Sequence, residues 1–257
     1  MENNKLLKKA YDEGLIDVVK EWLKSQKYVS VNSIHDAFSI SLDLSTAIFE
    51  ELIKLELVEK ESFYHKGNKV IIYNPISELK VYLLDRNPEI TYALTREFAP
   101  FEDVEIVLDD FAHFMDTHKS IECVVSPANS FGCMAGGYDK AITDYFGRDV
   151  EKEVQKFIRK NYYGEQPIGT SIMVVIPNAD KKLIHTPTMR LPSPIKDPLV
   201  IYQCMRSTIM VALRSNIHSI VIPAFGGATG QVPPRILARY MKEGYKQVIK
   251  FLKIWNE

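Results

Sequence analysis

"SPANSFGCMAGGYDKAI", residues 126–142, follows the apolar run "IECVV" and leads into a helical pattern. Gly132, Gly136 and Gly137 crowd this short connection. Glycine weakens the elements beside it unless the backbone must reach positive φ or approach another group closely. A second stretch has the same grammar: "PAFGGATGQVPP", residues 223–234, follows "SIVIPA" and precedes another helical pattern. Two strand–glycine loop–helix units suggest a ligand whose phosphates are held by backbone N–H groups. Neither loop spells GxxxxGK[ST], and neither spells GxGxxG with a ribose-binding acid at the right distance. P-loop and dinucleotide-fingerprint readings are therefore disfavoured.

Outward from these loops, residues 78–257 alternate strands and helices. Strand candidates are "LKVYLL", "VEIVL", "IECVV", "SIMVVI", "KLIHT" and "SIVIPA". Helical patterns are "FAHFMDTH", "YDKAITDYF" running toward "KEVQKFIRKN", "LVIYQCMRSTIMVALRS" and "PRILARYMKEGYKQVIKFL". The expected fold class is α/β, a mixed, mostly parallel sheet between helices. Ligands of such sheets sit outside the carboxyl ends of the strands.

Residues 1–77 read differently. Helical spacing recurs in "LIDVVKEWL" and "STAIFEELIKLEL", with Asn32 or Ser33 as the expected N-cap of the segment between them. "VEKESFYHKGNKVIIYNP" alternates and turns at Gly67-Asn68, a hairpin signal. This order resembles a winged helix-turn-helix, so a small α+β N-terminal domain is expected. Its ten Lys and Arg against twelve Asp and Glu disfavour DNA, because phosphate contacts need positive charge. A protein-contact module is the favoured reading.

The whole chain has 257 residues, 46% hydrophobic and 25% charged, with net charge −1, so nothing pulls it toward nucleic acid or membrane. No run approaches a membrane span, and "MENNKLLKKAYDEGL" lacks the features of a secretory leader. Cys123, Cys133 and Cys204 show no metal spacing and fit a reducing compartment, so a cytoplasmic protein with no metal and no cofactor is expected.

Four landmarks resemble the macrodomain family: "VVSPANSFGCMAGGYDKAI", "LIHTPTMRLP" at 183–192, "IPAFGGATGQVP", and the pair Asp110-Phe111. They occur in the family's order across residues 104–245. The resemblance implies an ADP-ribose pocket. In it Asp110 would accept from the adenine amine, while Phe111 would offer its N–H or pack on the base. Gly136 and Gly137 would run beside the diphosphate, and Gly226, Gly227, Ala228, Thr229 and Gly230 would wrap it from the other side. Asn129 would hold the distal ribose, with Tyr138 and Phe225 as aromatic candidates against it or, equally, as core residues. Asp139 falls where hydrolytic members carry a catalytic aspartate; it also reads as a first-turn acid answering the helix dipole. The chain departs from the family at Ser126, where an asparagine is usual, and at Met134 and Ala135, which place larger side chains at the entrance. His185 reads as a structural group and Lys140 as a surface charge, while Arg190 could reach the ligand or stabilise its own loop. Three functions stay open: a hydrolase of ADP-ribosyl groups on protein or in O-acetyl-ADP-ribose, a non-catalytic ADP-ribose reader, and a ligand-responsive DNA-binding regulator.

Overall fold

The computed structural model describes residues 2–23, 25–26, 29–55, 57–65, 68–75 and 79–255. The chain divides into two compact units, one ending at Ser77 and the other beginning at Glu78.

The first unit contains α1 (Glu2–Asp12), α2 (Leu15–Leu23), α3 (Val31–Phe38), α4 (Leu42–Lys54) and the antiparallel pair β1 (Val58–His65) and β2 (Asn68–Pro75). Its core gathers Ala10, Ile16, Val19, Leu23, Ile34, Ile48 and Leu52. The N-cap of α3 is Ser30, not Asn32 or Ser33. Ser30 Oγ accepts from Ser33 N at 3.1 Å and Ser33 Oγ accepts from Ser30 N at 2.9 Å. This reciprocal box satisfies two backbone donors at once, which a start inside the helix could not do. The hairpin forms with His65 opposite Asn68, so Asn68 belongs to the strand rather than the turn. Gly67 lies outside the described residues.

The second unit is a six-stranded sheet of β3 (Lys80–Asp85), β4 (Val104–Leu108), β5 (Cys123–Ser126), β6 (Ile172–Val175), β7 (Lys182–His185) and β8 (Ser219–Pro223). The strand order is β4-β3-β8-β5-β7-β6, parallel except for the edge pair β6–β7. This is the mixed, mostly parallel sheet that the sequence implies. Its central strands are mostly apolar because both faces are buried. In β5, Cys123 and Val125 join one core while Val124 joins the other. The first face is covered by α5 (Pro88–Phe98), α9 (Leu199–Arg214) and α10 (Pro234–Trp255). The second is covered by α6 (Phe111–Thr117), α7 (Gly137–Phe146) and α8 (Asp149–Tyr162).

Two features differ from expectation. Helix α5, "PEITYALTREF", is not among the expected helices, since Ile, Thr, Tyr and Phe give it modest helix propensity. Its signal lies in the cap: Asn87 Oδ1 accepts from Glu89 N at 2.9 Å, and Pro88 follows at the first helical position. The helical run after residue 137 breaks into α7 and α8 because Gly147 takes φ 90°, a left-handed value that stops a helix. Among the described residues, no helix is long and apolar enough to cross a membrane.

Candidate functional site

The parallel neighbours β5 and β8 end on the same edge of the sheet, which sets the two glycine loops side by side. Beyond β5, the Asn129 side chain organises its own loop. Its Oδ1 accepts from Phe131 N at 3.0 Å and Cys133 N at 3.4 Å, and its Nδ2 donates to Cys133 O at 3.3 Å. One Nδ2–H remains for another acceptor. Met134 turns into the core and is fully buried, so it does not narrow the entrance; Ala135 lines the groove instead.

A third segment, residues 186–198, spans both loops. Thr186 N donates to Ser126 O at 2.9 Å, Ser130 N donates to Met189 O at 3.1 Å, and Ile195 N donates to Gly230 O at 2.8 Å. Arg190 belongs to this frame: it pairs with both carboxylate oxygens of Glu165 at 2.7 and 2.9 Å and lies 5.2 Å from the Phe131 ring centre.

Two adjoining cavities form one groove at this edge. The first, of about 460 Å³, is lined by Asn129, Gly136, Gly137, Tyr138, Asp139, Gly226, Ala228, Thr229 and Gly230, together with Asp85, Thr188 and Met189. The second, of about 550 Å³, is lined by Asp109, Asp110, Phe111 and Tyr145, and shares Asp85, Gly137, Tyr138 and Ala228 with the first. A larger cavity of about 750 Å³ lies between α5 and the start of α10 and holds none of the candidate residues. We place the site in the groove, where the strand ends and both glycine loops converge.

Phe225 and Gly227 do not line the groove. Phe225 is fully buried in the core on the α5 face, because its side chain turns inward as the chain leaves β8. A Cβ on Gly227 would stand 2.7 Å from Ile90 Cδ1, so packing against α5 accounts for that glycine. Gly136 is the opposite case: a Cβ there meets nothing within 4 Å, and the open space is the groove. The Phe111 side chain is also core, with ring centres of Tyr138, Tyr145 and Phe146 at 5.2, 5.9 and 6.2 Å. Its N–H lies in the first turn of α6, where backbone donors have no intrahelical acceptor. Asp110 caps that helix by accepting from His113 N at 3.0 Å.

Asp139 is in the first turn of α7 but does not face water. It is 8% exposed, and its Oδ1 accepts from Ser126 Oγ at 2.6 Å. Burial pushes its carboxyl up to about 7, against the opposing Ser126 hydrogen bond and with a further push from the Glu151 charge. Burial also raises Asp85. The Tyr138 hydroxyl is buried beside these acids without a hydrogen-bond partner among the described residues, and desolvation drives its pKa well above the ordinary value. His185 stands next to Ser126 in the sheet. Its Nδ1 lies 2.7 Å from Gln166 Oε1, while Gln166 Nε2 donates to Thr170 O at 3.0 Å. That geometry assigns the proton to Nδ1, and burial pushes His185 down to about 3, leaving a neutral structural ring. Helix α7 has no side-chain cap at Gly136, so its first N–H groups are open to an anion. Among the described residues, no group of three or more His, Cys, Asp or Glu is placed to hold a metal ion.

Asp85 is one of several groove residues absent from the sequence expectations, with Asp109, Tyr145, Thr188 and Met189. Its signal is position: it ends β3, a central strand, at the carboxyl edge.

Residues 125–241 match the family model described as Macro domain. An uncharacterized protein of Aquifex aeolicus is 29% identical over 129 residues, 49% of this chain and 74% of the relative. One from Aeropyrum pernix is 30% identical over 125 residues, 48% of this chain and 62% of the relative. Similar solved structures include the macrodomain of Mycobacterium tuberculosis DarG, 21% identical with TM-score 0.43, covering 50% of this chain and 83% of that one. Another is the Oceanobacillus iheyensis macrodomain with ADP, 14% identical with TM-score 0.41, covering 77% and 98%. The match of the family model runs from the end of β5 into α10, through both glycine loops and the segment that spans them.

Proposed function

We propose that the groove binds ADP-ribose or a derivative and that the protein hydrolyses ADP-ribosyl groups carried on protein or in O-acetyl-ADP-ribose. The single observation that carries this reading is the placement of Asp139. A buried carboxyl stands on the groove floor, between two glycine loops and beside an uncapped helix N-terminus. The groove is poor in cations and rich in acids, with Arg86 against Asp85, Asp109, Asp110 and Asp144 in its second cavity. A diphosphate would therefore be held by backbone N–H groups and the α7 dipole rather than by side-chain charge. Asp110 and the Phe111 N–H suit an adenine, and the remaining Nδ2–H of Asn129 suits a ribose hydroxyl.

For an ADP-ribosyl group linked through its anomeric carbon to a protein carboxylate, water attacks that carbon. The new C–O bond forms as the bond to the acyl oxygen breaks, the leaving carboxylate keeps the electron pair, and Asp139 takes the proton from the water. In O-acetyl-ADP-ribose, whose acetyl sits on another ribose hydroxyl, water instead attacks the acetyl carbonyl. The bond from that carbon to the ribose oxygen breaks, and Asp139 passes the proton from the water to the leaving ribose oxygen. A base that titrates near neutrality balances availability against strength. The acidic α4, with Glu50 and Glu51 in its last turns, supports a protein-contact role for the winged-helix-like first unit rather than DNA binding.

The test is release of ADP-ribose from a modified protein and from O-acetyl-ADP-ribose, with Asp139→Asn in parallel. Turnover by the wild type and its loss in the variant, by about 10² to 10⁴, is the expected result. Tight binding with no turnover would favour the reader.

A further inference from the structure

A short, buried side-chain contact lies beneath Asp139. Ser126 is the last residue of β5 and fully buried, and its backbone is fixed by pairing with His185 and by accepting from Thr186 N at 2.9 Å. Its hydroxyl therefore has little freedom, and it donates to Asp139 Oδ1 across 2.6 Å. Asp139 Oδ2 has no side-chain partner among the described residues.

Among the described residues, no cation answers this carboxylate. Lys140, next in the chain, is at the surface and paired with Asp144. From α8 the facing charge is Glu151, itself an acid, which accepts from Met134 N at 2.9 Å. From α7 the neighbour is Tyr138; from the end of β3 it is Asp85, which lines the same cavity; and in the adjacent strand His185 is neutral. Ser126 is thus the side chain that supports the charged form of Asp139.

Resting on the hydrolase reading above, we infer that Ser126 is a positioning residue for Asp139. Its hydroxyl holds Oδ1, fixes the carboxylate rotamer on the groove floor and leaves Oδ2 as the oxygen that receives the proton from water. Ser126 itself touches neither water nor sugar. Where Ser126 helps keep Asp139 ionised, the acid limb of the pH–rate profile also depends on it.

The test uses the full chain with Ser126→Ala, the volume-filling Ser126→Cys, and Asp139→Asn. The Asp139 carboxyl titration is followed by carbon NMR, and kcat is measured from about pH 5 to 9. The expected result is that both Ser126 variants raise the carboxyl midpoint and the acid limb of kcat together, by roughly one pH unit or more, because a weak thiol donor cannot replace the hydroxyl. The affinity for ADP-ribose should stay within about twofold, and activity at pH 7 should fall about tenfold and partly return by pH 9. An unmoved midpoint, or full recovery with cysteine, would show that Ser126 only fills space and would overturn the inference. An inactive wild type, or an active Asp139→Asn, would overturn the hydrolase reading itself, an outcome visible separately from the Ser126 variants.

Discussion

Asp139 and Asn129 illustrate how much a single side chain carries here. Asp139 is displaced from its ordinary 3.8 to about 7 by burial. The folded state therefore holds its proton more tightly than the unfolded chain. Its contribution to stability is fully present below about pH 4 and is lost as pH rises through 7, by roughly 4 kcal/mol in all. Asp139→Asn should consequently melt higher than the wild type at pH 8 and alike at pH 4, as thermal unfolding at the two pH values would reveal. A wild type equally stable relative to the variant at both would mean that the carboxyl is solvated. Asn129→Ala should weaken ADP-ribose binding at least tenfold, since it removes both the loop's internal hydrogen bonds and the free N–H; calorimetry on a variant with an unchanged melting profile would establish this. Both residues are legible in the sequence as candidates, because an asparagine after a strand and an acid at a helix start carry local signals. The inward turn of Asp139 onto Ser126 is not legible, for it depends on where α7 meets β5. Phe225 reads as a ligand aromatic for the same reason: nothing local says which side of the sheet it takes.

Among the elements, the strands are the most legible. Their runs are mostly apolar because helices cover both faces, and each expected run overlaps an observed strand. Parallel pairing follows from the intervening helices, except at β6, whose short link to β7 is too tight for a crossover and gives an antiparallel edge. Helix α5 escapes because its cap, rather than its propensity, specifies it. The contact between α9 and α10 depends on Gly244, where an added Cβ would stand 2.6 Å from Tyr202 O and 3.0 Å from Met205 Cβ. Alanine favours helices by about 1 kcal/mol over glycine in isolation. Here overpacking against a backbone oxygen wins, so Gly244→Ala should destabilise the protein by about 1–3 kcal/mol in denaturant unfolding. A stabilised variant would show that the two helices can separate freely.

At the scale of the molecule, the two units have separate cores, Ile16, Ile34, Ile48 and Leu52 in one and the two layers around the sheet in the other. Residues 78–257 produced alone should therefore unfold in one cooperative transition and keep the ligand affinity of the full chain. A fragment that aggregates or binds more weakly would assign part of the site or its stability to the first unit. The composition shift near Pro75 makes the boundary legible, whereas the groove is a property of the assembled sheet edge and draws on Asp85, Asn129, Asp139 and Thr229 from distant parts of the chain. The most direct measurement is calorimetric titration of the full chain with ADP-ribose, with Gly136→Leu as the partner experiment, because a side chain there enters only the groove. Saturable one-to-one binding that the leucine weakens tenfold or more without lowering the melting temperature is the expected result; no saturable binding by the wild type up to about 1 mM ligand, or equal affinity in Gly136→Leu, would contradict an ADP-ribose site in the groove.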